Sequence, residues 1–361
     1  MEMTQAQRAR WEAAADNLLV NCAGIRSGAD VLFINENGKG VDRGVVEFLE
    51  ARALHHGAKV RSLWPPRAEA PEAIPADVAK AIEDAEITIF NHQIGPLLRL
   101  RPIPGSGVRV LNYAATPAVM DSEFARVPHG LWIEAMERLV PRLQKGKAWR
   151  ITCPLGTDVA GEFVPAPKTG NPTGFSLRSF PMDTHSPVAS PNARGKIAFR
   201  WFVTSGTHDL GTEGITLEAP VVAHVENGRI REFEGPGKAA QAARSFLSGI
   251  GERYGKEWSV LNSWHAGTNP QACVAFGAAQ SLEQWMLLAH ANPRILHFHV
   301  VGEKIPGEIS ATLVDATVES DGVKLWDAGR LAMLAEPEFQ ALATRWPNGA
   351  RAFEQSDRIG V

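Results

Sequence analysis

Short apolar runs and helix-patterned stretches alternate through the first 143 residues, and this alternation restricts the fold more than any other feature of the chain. Residues 31–35 (Val-Leu-Phe-Ile-Asn) read as a buried strand, followed by a turn at Asn37-Gly-Lys-Gly40 and by Asp42, placed to cap a helix that reaches His56. Gly57 ends that helix. Residues 60–63, 87–90 and 108–111 read as further strands, with helices over 77–84 and 130–143. Strands separated by helices pair in parallel through right-handed crossovers.

The pattern changes at Ile151. Ten Gly and Pro residues fall between Cys153 and Pro191, too many turn-formers for long helices. Strand patterns then return at 196–204, 215–217, 221–225 and 229–233, and Asn227-Gly228 between the last two is a strong hairpin signal. A helix is expected over 239–249. A second hairpin is expected around Asp321-Gly322, with arms 311–318 and 323–326. The expected architecture is α/β: an N-terminal parallel-sheet Rossmann-like domain over 1–150, then a mixed, largely antiparallel α+β domain over 151–361. A length of 361 residues fits two units at roughly 100 to 200 residues each.

Composition excludes several function classes. Hydrophobic residues make up 44% and charged residues 21%, the balance of an ordinary globular chain. Lys+Arg total 37 against 40 Asp+Glu, with no basic run, so nucleic acid is not an expected partner. Cys22, Cys153 and Cys273 form neither a disulfide framework nor a C-x-x-C site. No stretch has the ~18 uninterrupted apolar residues of a membrane span, and residues 1–16 lack the apolar core of a leader, so the expected location is cytoplasmic. Walker, G-x-G-x-x-G, G-x-S-x-G and H-E-x-x-H motifs are all absent.

The histidines carry the remaining chemistry. His297 and His299 flank Phe298 in a strand-like run, so alternation places both imidazoles on one face. With a carboxylate such as Asp315 they could form a two-histidine, one-carboxylate metal site. The competing reading is a strand whose histidines are satisfied by packing. His208-Asp209 and Asp183-Thr-His185 lie in turn-rich segments, where solvated pairs are expected.

The stretch Ser263-Trp-His-Ala-Gly-Thr-Asn-Pro270 resembles a motif of the thermophilic metallo-aminopeptidase family, whose relatives include iron-dependent 2,5-dihydroxypyridine dioxygenases. The opening segment 18–34, Gly156-Thr-Asp158, the hairpin region 220–235 and Leu313-Val-Asp315 look like other parts of that family. The chain departs from the family where metal is held. Anchoring on Gly267-Thr-Asn269 puts Ser263 at a ligand position, with His265 two residues out of register, and Leu313 stands at the histidine of the H-x-D segment. A third histidine position falls near Phe298 when Gly302 is the anchor.

The resemblance therefore implies a non-catalytic scaffold with no cofactor, similar to the peptide-binding accessory proteins of crocagin-type biosynthesis. Such a protein would bind and protect a ribosomal precursor peptide and could pair as a homodimer. Trp201, Trp264, Trp285 and Arg200 are the candidate peptide contacts. The alternative is a metal-dependent enzyme, an iron ring-cleaving dioxygenase or an aminopeptidase, holding Fe or Zn through a shifted set drawn from His265, His297, His299 and Asp315.

Overall fold

A computed structural model describes residues 3–38, 40–68, 70–99, 101–164, 176–181, 184–204, 214–273, 282–302 and 307–355. Along the chain the strands are β1 (Asp30–Asn35), β2 (Lys59–Leu63), β3 (Ile87–Asn91), β4 (Val108–Asn112), β5 (Ala148–Thr152), β6 (Asp158–Glu162), β7 (Arg178–Phe180), β8 (Val188–Ala189) and β9 (Arg194–Thr204). They continue as β10 (Ile215–Glu226), β11 (Arg229–Glu234), β12 (Leu261–Ala266), β13 (Ile295–Val301), β14 (Glu308–Val314), β15 (Thr317–Ser320), β16 (Val323–Asp327) and β17 (Arg330–Leu331).

The first sheet has the order β2-β1-β3-β4-β7 and every pairing in it is parallel. Helices form where the alternation places them. Asp42 accepts a hydrogen bond from Val45 N at 3.0 Å and so starts the helix Arg43–His55. Gly57 follows at φ +78, and a Cβ there would meet Ser27 Oγ at 2.8 Å, so only glycine fits. β3 is buried at all five positions, as expected for a central parallel strand covered on both faces. At the carboxyl ends of β1, β3 and β4, Asn112 donates to Asn91 and Asn91 to Asn35, each at 2.8 Å.

The second sheet is antiparallel throughout, in the order β17-β16-β15-β5-β6-β9-β14-β13-β12-β8, with β10 on β9 and β11 on β10. Asn227-Gly228 turns β10 into β11 with both residues at positive φ, as a type I′ hairpin requires. Three details differ from the sequence expectations. The runs 215–217 and 221–225 are one strand, β10, irregular between Thr216 and Val221. The run 311–318 breaks at Asp315, which sits at φ 54 and turns β14 into β15, so only β15 and β16 form the Asp321-Gly322 hairpin. Residue 150 lies inside β5 of the second sheet, and β7 later returns to the first beside β4. Each sheet has its own apolar core. No helix among the described residues is long and apolar enough to cross a membrane.

Candidate metal centre

Four adjacent strands of the second sheet assemble a polar face. In register across β12, β13, β14 and β9 lie His265, His297, Thr312 and Trp201, and the next row inward on three of these strands is Ser263, His299 and Ser310. Cross-strand partners share a face, so the pairing alone gathers three imidazoles and three hydroxyls. Ring nitrogens of His265, His297 and His299 lie within 4.8 Å of one another, and all three residues are buried. His265 and His297 stack with ring centroids 5.1 Å apart.

β12 is aimed by the turn that follows it. Gly267 donates to Ile295 O at 3.0 Å, and a Cβ on it would fall 2.0 Å from Asn292 O, so glycine alone permits this approach. Trp326 Nε1 closes the turn by donating to Gly267 O at 2.8 Å.

The surroundings assign the protons. His185 Nε2 accepts from Ala266 N at 3.0 Å while its Nδ1 donates to Ser186 O at 2.7 Å. The carbonyl of His185 accepts from His265 Nδ1 at 2.8 Å, which puts the proton of His265 on Nδ1 and its lone pair on Nε2. His299 Nδ1 lies 2.9 Å from Glu308 Oε1 and 3.2 Å from Ser263 Oγ, and its Nε2 lies 3.1 Å from His297 Nε2. Burial, reinforced by neighbouring imidazoles, holds His265 and His297 well below the ordinary histidine pKa, so both are neutral.

Several buried polar atoms here have no hydrogen-bond partner among the described residues: Nδ1 of His297, Nε2 of His290, Oγ of Ser310 and Oγ1 of Thr312. His290 stacks on His297 at 4.0 Å, and burial lowers its pKa to about 3. Buried polar groups are ordinarily paired, so four unpaired ones on and beside one face mark a place built to meet something further. Neutral imidazoles are the metal-ligating form, and His265 and His299 each present Nε2 while Nδ1 is engaged by a carbonyl or a carboxylate, the usual environment of metal-bound histidine. Metal–imidazole bonds are about 2.0–2.1 Å, so a metal held by all three rings would draw their nitrogens closer together than 4.8 Å. The donor set fits a divalent transition metal.

The other sequence candidates are distributed differently. Asp315 is absent from this cluster and is paired with Arg294 at 2.6 Å. Leu313 is a core residue, 1% exposed. Trp264 is buried in the main core, against Trp149 at 5.9 Å and Trp326 at 6.5 Å, and Trp285 is buried against Trp201 at 6.1 Å. Neither Trp264 nor Trp285 offers an exposed face as a peptide anchor, because each completes a hydrophobic layer. Arg200 is exposed and alternates to the side of β9 opposite Trp201. His208, Asp209 and Asp183 lie outside the described residues. Glu308, His290, Ser310 and Thr312 were not expected from sequence. The β13–β14 register is the signal that finds the last two, since it sets them opposite His299 and His297.

No protein-family model and no curated protein matches the chain. Among solved structures, the chain resembles 2,5-dihydroxypyridine dioxygenase from Pseudomonas putida KT2440, with a TM-score of 0.64 and 14% identity over 94% of this chain and 100% of that one. It also resembles wild-type AmpT from Thermus thermophilus, with a TM-score of 0.54 and 13% identity over 90% of this chain and 99% of the other. The chain thus has the two-part fold that these two proteins share.

Proposed function

We propose that the protein is a metal-dependent enzyme whose divalent transition metal is held by His265, His297 and His299. The observation that carries this reading is the cluster itself: three buried imidazoles with nitrogens within 4.8 Å, two of them with Nδ1 engaged so that Nε2 is presented. A bound metal of this kind supplies a Lewis acid and lowers the pKa of a water or hydroxyl ligand. The chain's own residues set the conditions around it. His265 and His297 bring no formal charge, and Ser310 and Thr312 offer hydroxyls to the oxygens or nitrogens of a substrate. The sheet face and the helix Leu282–Ala289, packed against it through Trp285 and Trp201, exclude bulk water. The likeness to a dioxygenase is consistent with iron, and the aminopeptidase resemblance with zinc.

A second reading follows from the positions that the family resemblance assigns to ligands. Ser263 is buried and hydrogen-bonded to His299, Leu313 is in the core, and Asp315 is engaged by Arg294. These observations favour a non-catalytic scaffold that binds a peptide, such as a ribosomal precursor peptide, with no cofactor. Metal content separates the two readings. Protein purified without chelator and soaked in iron or zinc is expected to retain about one equivalent through gel filtration. Retention of none, together with calorimetric binding of a peptide encoded beside the gene, establishes the second reading.

A further inference from the structure

We infer that Glu308 and Arg99 are a positioning pair that fixes the tautomer of His299 and ties the histidine cluster to the first sheet. The inference extends the metal-centre reading, but its geometry stands without any metal. Glu308 opens β14 and its side chain is fully buried, which is costly for a carboxylate unless it is paired and hydrogen-bonded. It meets two groups that come from opposite parts of the fold. Oε1 lies 2.9 Å from His299 Nδ1, on the neighbouring strand. Oε1 and Oε2 accept from Arg99 Nη2 at 3.2 and 2.9 Å.

Arg99 follows the helix Ile94–Leu98, which packs on β3 and β4 of the first sheet, and it also hydrogen-bonds Tyr113 just beyond β4. A guanidinium anchored there holds both oxygens of Glu308 in place beside His299. A carboxyl oxygen held 2.9 Å from Nδ1 is an acceptor for an Nδ1 proton, so the contact selects the Nδ1–H form of His299, with Nε2 turned toward His297. Arg99 and Glu308 are 209 positions apart in the chain, so this element of the site exists only when the two sheets are docked. Glu308 and Arg99 touch no reacting atom, and their effect passes through the imidazole.

Nitrogen-15 NMR of the histidine side chains in the metal-free protein tests this directly. In the wild type, His299 is expected in the Nδ1–H form. Glu308→Ala is expected to move it toward Nε2–H, and Glu308→Gln, whose amide oxygen still accepts, is expected to keep most of the original tautomer. Zinc affinity, measured by chelator competition, is expected to fall about 10- to 100-fold in Glu308→Ala and by less in Arg99→Met. An unchanged tautomer in folded Glu308→Ala overturns the inference. If that variant does not fold, an Arg99→Met protein whose His299 spectrum and zinc affinity are both unaltered overturns it as well. Absence of zinc binding in the wild type contradicts the metal reading, while the tautomer result decides the positioning role separately.

Discussion

Arg294 grips Asp315 in a two-pronged contact, Nε to Oδ1 at 2.6 Å and Nη2 to Oδ2 at 2.8 Å. That contact decides which of the sequence candidates can share a site. Asp315 sits in the left-handed region at the corner between β14 and β15, and Gly329 passes close to its Oδ1. The carboxylate therefore serves the corner, and the cluster is left with imidazoles only. Asp315→Asn is expected to cost about 1 kcal/mol of stability, since the pair is partly exposed and screened. Its zinc affinity should stay within about twofold of wild type. Urea unfolding and a zinc titration of the same preparation check both statements, and a tenfold loss of affinity would place Asp315 among the ligands.

Thr312 and Ser310 bury hydroxyls that have no partner among the described residues. A buried unsatisfied polar group costs roughly 1–3 kcal/mol, so Thr312→Val should raise the stability of the metal-free protein by about 1 kcal/mol. The same change should impair turnover once a substrate is known, as is common where a site holds unpaired groups for its ligand. A destabilised Thr312→Val would show that the hydroxyl is already satisfied in the free protein.

Trp264→Ala removes an indole at the centre of the larger core. The expected loss is about 3–5 kcal/mol of stability, read as a lower unfolding midpoint. Trp264→Phe should recover part of it. Weakened peptide binding without loss of stability would instead make Trp264 an anchor.

Acid should destabilise the fold through His92 and His129, both buried and both lowered to about 4 by desolvation. His92 Nδ1 accepts from Ile94 N at 3.0 Å, a bond that protonation would break. An unfolded imidazole takes up its proton near 6.5, so between about pH 6.5 and 4 the unfolded chain binds more protons than the folded one. Stability is then complete above about pH 6.5 and declines below it, by at most roughly 1.4 kcal/mol per pH unit for each histidine. Unfolding midpoints measured from pH 8 to 4.5 should be flat and then fall. His92→Gln should flatten the decline, and an equal slope in that variant would show that His92 titrates normally.

What was legible in the sequence follows from the range of the forces involved. Asp42 capping its helix, Gly57 ending it and Asn227-Gly228 turning a hairpin are local events, decided within a few residues, and the structure has each where the sequence places it. The shared face of His297 and His299 is equally local. Non-local facts were hidden. Nothing near Glu308 in the sequence announces Arg99. The pairing of His265 with His297 depends on a β12–β13 register set by the Gly267 turn. The aromatic pattern misled for a related reason, because an indole that reads as a binding face in sequence is removed from solvent by strands far away along the chain, as Trp264 is by Trp149 and Trp326.

X-ray absorption at the metal edge of the zinc- or iron-loaded protein tests the central claim most directly. One metal per chain with a nitrogen-dominated shell and the multiple-scattering pattern of about three imidazoles is the expected result, and it should be lost in His297→Ala. A loaded protein that holds no stoichiometric metal, or one whose shell is unchanged in His297→Ala, would contradict the three-histidine centre.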